Sequence, residues 1–261
     1  MIKKLVKYDI KNMSKILVYL YVVTLGLAIL TRLISLGNSI QVIDIISKVF
    51  AGITYSAVAN VIINNFTNIL RVFIYSFYKD ESYLTHTLPV TKGELLLSKY
   101  IASFILTVIS VLVSVVAILI IHYSNTFFDT IRFLLEMGLS SFNMSIELFL
   151  LLFVLLLFVQ LCCIISMTFT SVIKGNTYNS KRTLKGLLWF FVYYFGASLI
   201  VLLVALIVFA ISGNIGLFLA ATLTGDAITM LLVIALVVYA IIAVWSSYVS
   251  YRLFKKGVNV D

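Results

Sequence analysis

Phe149-Leu150-Leu151-Leu152-Phe153-Val154-Leu155-Leu156-Leu157-Phe158-Val159-Gln160-Leu161-Cys162-Cys163 is the stretch on which the fold class turns. It is apolar on every face of a helix, where a strand of a transmembrane barrel would alternate apolar and polar positions. The rest of the chain identifies the surrounding solvent as lipid. Hydrophobic residues make up 62% of 261 residues, charged residues 11%, and the mean hydropathy is +1.15. That is more apolar than a soluble domain can cover with polar surface. Long apolar windows recur at about 16–36, 49–71, 97–122, 147–172, 186–212 and 228–252. Each approaches or exceeds the roughly 20 residues that cross about 30 Å of hydrocarbon. The expected fold is all-α and polytopic, with six transmembrane helices in a single membrane domain over residues 1–261.

Six spans put both termini on one side. Lysines 3, 4, 7, 11 and 15 lie on that side with Arg71, Lys79, Lys92, Lys99, Lys174, Lys181, Arg182, Lys185, Arg252, Lys255 and Lys256, leaving only Arg32, Lys48 and Arg132 for the other. The excess of Lys and Arg in cytoplasmic loops places both termini in the cytoplasm. The formal charge of +9 is thus spread over short loops and not gathered on one soluble face, which argues against nucleic acid as a partner. Residues 1–15 set Ile2, Leu5, Val6, Ile10 and Met13 against the five lysines, an amphipathic pattern expected to form an interfacial helix along the cytoplasmic leaflet. This start lacks a small-residue cleavage site and is read as retained. Cys162 and Cys163 are neighbours, too close along the backbone for ordinary disulfide geometry, and read as buried thiols.

The most informative polar segment is Tyr78-Lys79-Asp80-Glu81-Ser82-Tyr83-Leu84-Thr85-His86-Thr87-Leu88-Pro89-Val90-Thr91-Lys92-Gly93-Glu94, between the second and third spans. Asp80, Glu81 and Ser82 suit a helix N-terminus, where acidic groups and capping oxygens meet unpaired N–H groups. Pro89, the only proline in the chain, disfavours helix at Leu88. Thr91-Lys92-Gly93-Glu94 then fits a capping box that restarts the helix into the third span. A short helical elbow over 79–90 is expected.

At these residues the chain resembles the small type-2 ABC exporter permeases of Gram-positive bacteria, in which a stretch like Glu81-Ser82-Tyr83-Leu84-Thr85-His86-Thr87-Leu88-Pro89-Val90 precedes a lysine such as Lys99. The basic amphipathic start, six spans, cytoplasmic termini and short segment 213–227 between the last two spans fit the same architecture. The resemblance implies that the elbow is a coupling helix, with Asp80, Glu81, Tyr83, Leu84, His86, Leu88 and Pro89 meeting a separate ABC ATPase subunit. It further implies a homodimer with two ATPase subunits in the bacterial cytoplasmic membrane. ATP and Mg would be held by the ATPase, with no cofactor in this chain. The implied cargo is an amphipathic peptide, phenol-soluble modulin-like or antimicrobial, with drugs or lipids as the alternative. No G-x-x-x-x-G-K-[S/T] phosphate loop occurs, so the chain is expected to be a transport subunit and not itself an enzyme.

Within the second span, Asn60, Asn64 and Asn68 recur every four residues, with Thr67 and Arg71 on the same side and Asn65 adjacent. Amides in lipid are costly unless they face protein or water. Two readings stay open: bonds across helices or a homodimer, or the wall of a hydrated path. Trp189, Phe190, Phe191, Tyr193, Tyr194 and Phe195 open the fifth span as an aromatic belt. In the resembled family the second and fifth spans border the path, which brings Tyr193 and Tyr194 into the candidate translocation set. Residues 125–143 read as an outer interfacial helix or lid. An intramembrane enzyme is the rival class, but His86 and His122 are expected on opposite sides of the membrane, no metal site is expected, and no H-E-x-x-H or paired intramembrane aspartate occurs. An ATP-independent secondary transporter would call for spans broken at mid-membrane or coupling-ion groups, and the spans contain no proline and little charge.

Overall fold

In lipid every backbone polar group is satisfied within its own segment, so a chain this apolar resolves into long helices joined by short turns. The computed structural model describes residues 2–37, 41–79, 81–87, 89–123, 125–140, 145–178, 180–216 and 224–256, with the side chains of 86, 125–128 and 140 outside that description. The helices are α1 (Ile2–Ser35), α2 (Gln41–Tyr78), α3 (Ser82–Thr87), α4 (Lys92–Ile121), α5 (Asn125–Ser140), α6 (Ile146–Gly175), α7 (Arg182–Ile211) and α8 (Gly225–Lys255). No strand occurs among the described residues. Six helices, α1, α2, α4, α6, α7 and α8, are long and apolar enough to cross a membrane.

Two expectations are corrected. The separate interfacial helix over 1–15 is not found: residues Ile2–Ser35 form one uninterrupted helix of 34 residues. Nothing between Lys11 and Val18 breaks a helix, and Asp9, Met13, Leu17 and Tyr21 share one buried face, so the seam that packs the span also carries its first turns. At 1.5 Å per residue α1 is about 51 Å long, well beyond the hydrocarbon core. The elbow is also shorter than 79–90. The amide of Ser82 donates to the carbonyl of Lys79 at 2.8 Å, and helix α3 occupies only Ser82–Thr87. The capping box at α4 forms as expected: the Thr91 hydroxyl accepts from the Glu94 amide, and the Glu94 carboxylate accepts from the Thr91 amide.

The chain divides into two compact units, residues 1–127 and 128–261. In the first, α1 packs on α4 and α2. Met13, Leu17, Tyr21, Val61, Val72, Ala102 and Leu106 form one buried cluster, and Ala28, Val58, Ala117 and Ile121 a second. Lipid tails are as apolar as leucine, so helices associate through close packing and hydrogen bonds and not through the hydrophobic effect. Accordingly α4 buries Ser98, Ala102, Ser103, Ser110, Ser114 and Ala117. Hydroxyls and amides stitch the seams: Tyr21 to Ser110 at 2.6 Å, Thr31 to Thr54 at 2.8 Å, and Asn65 Nδ2 to Thr107 Oγ1 at 3.0 Å.

In the second unit α6 packs on α8 and α7. Ser166 Oγ donates to the carbonyl of Ala243 at 3.0 Å and bonds Ser247 Oγ, and Thr170 Oγ1 donates to the carbonyl of Ser246 at 2.9 Å. This register makes α6 and α8 parallel. Cys163, Met167 and Ala197 are buried with Tyr193, Tyr239, Ile242 and Ala243 packed against them, and both cysteines are free thiols. The α6–α7 hairpin closes on two glycines: a Cβ on Gly175 would stand 2.5 Å from the Gly186 Cα. Helix α7 ends in a Schellman motif. Gly213 at φ +72° lets the Asn214 amide reach the Phe209 carbonyl at 3.0 Å and its own amide reach the Ala210 carbonyl at 3.2 Å. Helix α5, most of which belongs to this unit, is the expected helix over the 125–143 segment; it exposes Ile131, Phe133, Leu134 and Met137 and carries an Arg132–Glu136 pair at 2.9 Å.

Gly175→Ala forces α6 and α7 apart at a backbone contact. Thermal unfolding in detergent should show a loss of about 1–3 kcal/mol, the usual cost of overpacking a tight core. Gly26→Ala, where nothing lies within 4 Å of the added Cβ, is the control and should be neutral or stabilising by up to about 1 kcal/mol.

Candidate functional site

The buried face of α1 reads Asp9, Met13, Leu17, Tyr21, Thr24, Ala28 and Thr31, in steps of three and four residues. One position on this face is a carboxylate. Burying an unpaired charge costs several kcal/mol, so Asp9 needs a cation beside it. Lys99, about two turns into α4, supplies it: Nζ lies 2.6 Å from Asp9 Oδ1, and both side chains are nearly sealed, at 7% and 6% exposure. The remaining valences are filled. Ser98 Oγ donates to Asp9 Oδ2 at 2.9 Å, and Lys99 Nζ also donates to Ser76 Oγ at 3.0 Å and lies 5.8 Å from the Phe77 ring centroid. Ser76 Oγ in turn donates to Glu81 Oε2 at 3.4 Å. One chain of contacts thus ties α1, α4, the end of α2 and the residue that opens α3.

That chain anchors the elbow. Ser82 is buried, and the Glu81 carbonyl accepts from the Thr85 amide and hydroxyl at 3.0 and 2.9 Å. Tyr83 and Leu84 point away from the protein, exposed at 76% and 68%. Pro89 is exposed in the bend that leads to the capping box. Asp80 and Leu88 lie outside the described residues, as does the side chain of His86.

The polar stripe of α2 divides in two. Asn68 is buried and its Nδ2 donates to the Met13 carbonyl, and Asn65 is buried against Thr107, so these two amides tie helices together. Asn60, Thr67 and Arg71 are exposed and Asn64 is half-buried. Asn64 Nδ2 donates to the Asn60 carbonyl oxygen at 3.0 Å and to its side-chain oxygen, and Thr67 Oγ1 donates to the Ile63 carbonyl at 2.8 Å. Arg71 Cζ stands 5.8 Å, and Lys79 Nζ 4.8 Å, from the centroid of the exposed Tyr75 ring. Four of the five path candidates on α2 therefore share one outward face, and Asn68 does not. In the second unit Tyr193 is half-buried against the Cys163–Met167 cluster, whereas Tyr194 is exposed and stacks on Phe190 at 6.2 Å.

Sequence reading missed Asp9 and Ser76. The signal was present for Asp9, since it is the lone acid among the five N-terminal lysines and falls four residues before Met13 on the apolar face. The His122 Nε2 bonds the Tyr55 hydroxyl just past the far end of α4 from the elbow, so the 30-residue length of α4 separates its backbone from the segment that carries His86. Among the described residues no three His, Cys, Asp or Glu side chains gather to hold a metal. Compared with family models, curated proteins and solved structures, the chain matches none.

Lys99→Met leaves Asp9 buried without its cation and should cost about 3–5 kcal/mol of unfolding free energy in detergent, whereas the double variant Asp9→Leu/Lys99→Met should recover most of that loss. Costs that simply add across the two substitutions would show that the pair is not coupled.

Proposed function

We propose that this chain is the permease subunit of an ATP-driven ABC exporter that moves amphipathic peptides out across the cytoplasmic membrane. The observation that carries the reading is the elbow: a short helix held at its base by a buried ionic network, with Tyr83 and Leu84 presented outward. An exposed aromatic–aliphatic pair on a rigid polar turn suits a groove on a partner protein, since such side chains make the energetic centre of interfaces. The partner is an ATPase subunit, two copies of which bind ATP and Mg, and which engages the elbows of a homodimer.

Load applied at α3 passes from Glu81 to Ser76, and from there to Lys99 and Asp9, so α1, α2 and α4 receive it together. The outward face of Asn60, Asn64, Thr67 and Arg71 lines the path between the two copies and offers hydrogen bonds to a passing chain. Tyr194 and its aromatic neighbours on α7 meet the apolar face of the cargo. Export of drugs or lipids uses the same surfaces.

Capture of the tagged full-length chain from its native membrane should bring down a P-loop ATPase whose hydrolysis is stimulated by the complex. Tyr83→Asp/Leu84→Asp should reduce that association at least about tenfold, the loss expected when two central interface side chains are replaced by charge. Asn60→Leu/Asn64→Leu should leave association intact and lower peptide export. Undiminished association after the double charge substitution would overturn the coupling role of the elbow.

A further inference from the structure

At the end of the second unit where α6 stops and α7 begins, Lys174, Lys181, Arg182 and Lys185 gather. Because α8 runs parallel to α6, Arg252, Lys255 and Lys256 close the same end. The carboxylates of α6 and α8 among the described residues, Glu147 and Asp226, occupy the opposite first turns. No ion pair reaches Lys174 or Lys185 among the described residues; each is half-buried and rests on an aromatic face. Lys185 Nζ stands 4.3 Å from the centroid of Tyr178, and Lys174 Nζ 5.3 Å from that of Trp189. Trp189 Nε1 donates to the Tyr178 hydroxyl at 3.3 Å, and Arg182 Nε donates to the Tyr178 carbonyl at 3.3 Å, which fixes the walls.

These walls line an open groove of about 190 Å³ bounded by Tyr178, Lys185, Leu188, Trp189 and Val192. Its polarity is graded along α7. Lys185 and the indole N–H that reaches back to Tyr178 lie toward the helix start, and Leu188 and Val192 lie about one and two turns beyond Lys185. Val192 also borders a second cavity, of about 160 Å³, that runs on along Gly196 and Ile200 against Met167 and Trp245. Lys185 in the wall and Lys174 over the Trp189 ring, neither met by a carboxylate among the described residues, stand beside an apolar groove along α7 and match an anionic headgroup with an attached acyl chain. A free phosphate would use only the mouth and leave the apolar continuation unfilled.

We propose that this groove holds one anionic phospholipid, with its phosphate between Lys174 and Lys185 and an acyl chain along Leu188, Val192 and Gly196. The site stands apart from the ATPase reading and does not depend on it.

The chain has two tryptophans, Trp189 and Trp245, so Trp245→Phe leaves Trp189 as the only indole, placed in the groove wall. Full-length protein of this background in maltoside detergent is titrated with phosphatidylglycerol or phosphatidylcholine carrying the same brominated acyl chains, and quenching of Trp189 is read. Phosphatidylglycerol should reach half-quenching at a roughly tenfold lower concentration, as two lysines near a lipid phosphate warrant. Lys174→Gln/Lys185→Gln should abolish that preference with the phosphatidylcholine curve unchanged, and Lys174→Arg/Lys185→Arg should retain it. Lys185→Gln alone is the milder variant should the double one unfold, and it should lower the preference about threefold. Equal quenching by the two lipids, a preference that survives the double glutamine variant, or one that Lys185→Gln leaves undiminished, overturns the proposal. So does displacement of phosphatidylglycerol by millimolar soluble glycerol phosphate at matched ionic strength, which would assign the mouth to a free anion.

Discussion

The Asp9–Lys99 pair sets the geometry of the first unit. A carboxylate and an ammonium that are both nearly sealed from solvent tolerate little displacement, because each Ångström of separation weakens an attraction that must offset the loss of two hydration shells. Holding them at 2.6 Å fixes the register of α1 against α4 at their polar ends, and the hydroxyl seam from Tyr21–Ser110 outward continues from that fixed point. Ser76 then brings the last turn of α2 into the same register, and Glu81 sets where the chain leaves for α3. The length of α1 follows from the same constraint. Its first turns stay helical and packed because Asp9 lies on the seam and not on the lysine-rich face.

The two units use different devices for the same physical difficulty, the lack of a hydrophobic drive between helices in lipid. The first relies on one ion pair and buried amides from Asn65 and Asn68. The second has no buried ion pair among its described residues. It is held by Ser166 and Thr170 donating to backbone carbonyls of α8, and by the bare backbone contact of Gly175 with Gly186. Hydroxyls that bond backbone carbonyls are tolerant of side-chain identity on the partner helix, and this lets α8 present Trp245 and Tyr248 outward.

Much of the fold was legible because periodicity and composition report directly on burial in lipid. The six long helices, the Pro89 stop and the Thr91–Glu94 capping box each follow from a local rule that tertiary packing has no cause to override. What composition hid was the side on which a residue faces. Asn60 and Asn68 are indistinguishable in a four-residue repeat, yet eight residues of α-helix rotate by about 80° beyond two full turns, enough to carry one amide outward and the other onto Met13. The basic start was read from its lysines, whereas the single acid among them decides where it packs. Ser76 was invisible, since a serine near a helix end carries no signal until the lysine and the glutamate it bridges are brought together.

The sequence separation of the central ion pair bears on how the protein is made. Asp9 and Lys99 lie 90 residues apart, and at about 5–20 residues per second some 5–20 s of synthesis pass between them. During that interval the carboxylate of Asp9 has no α4 partner, and a charge without a partner is best left in water. The contact that fixes α1 against α4 can therefore close only after α4 has been made, which makes the packing of this unit a late event in its synthesis.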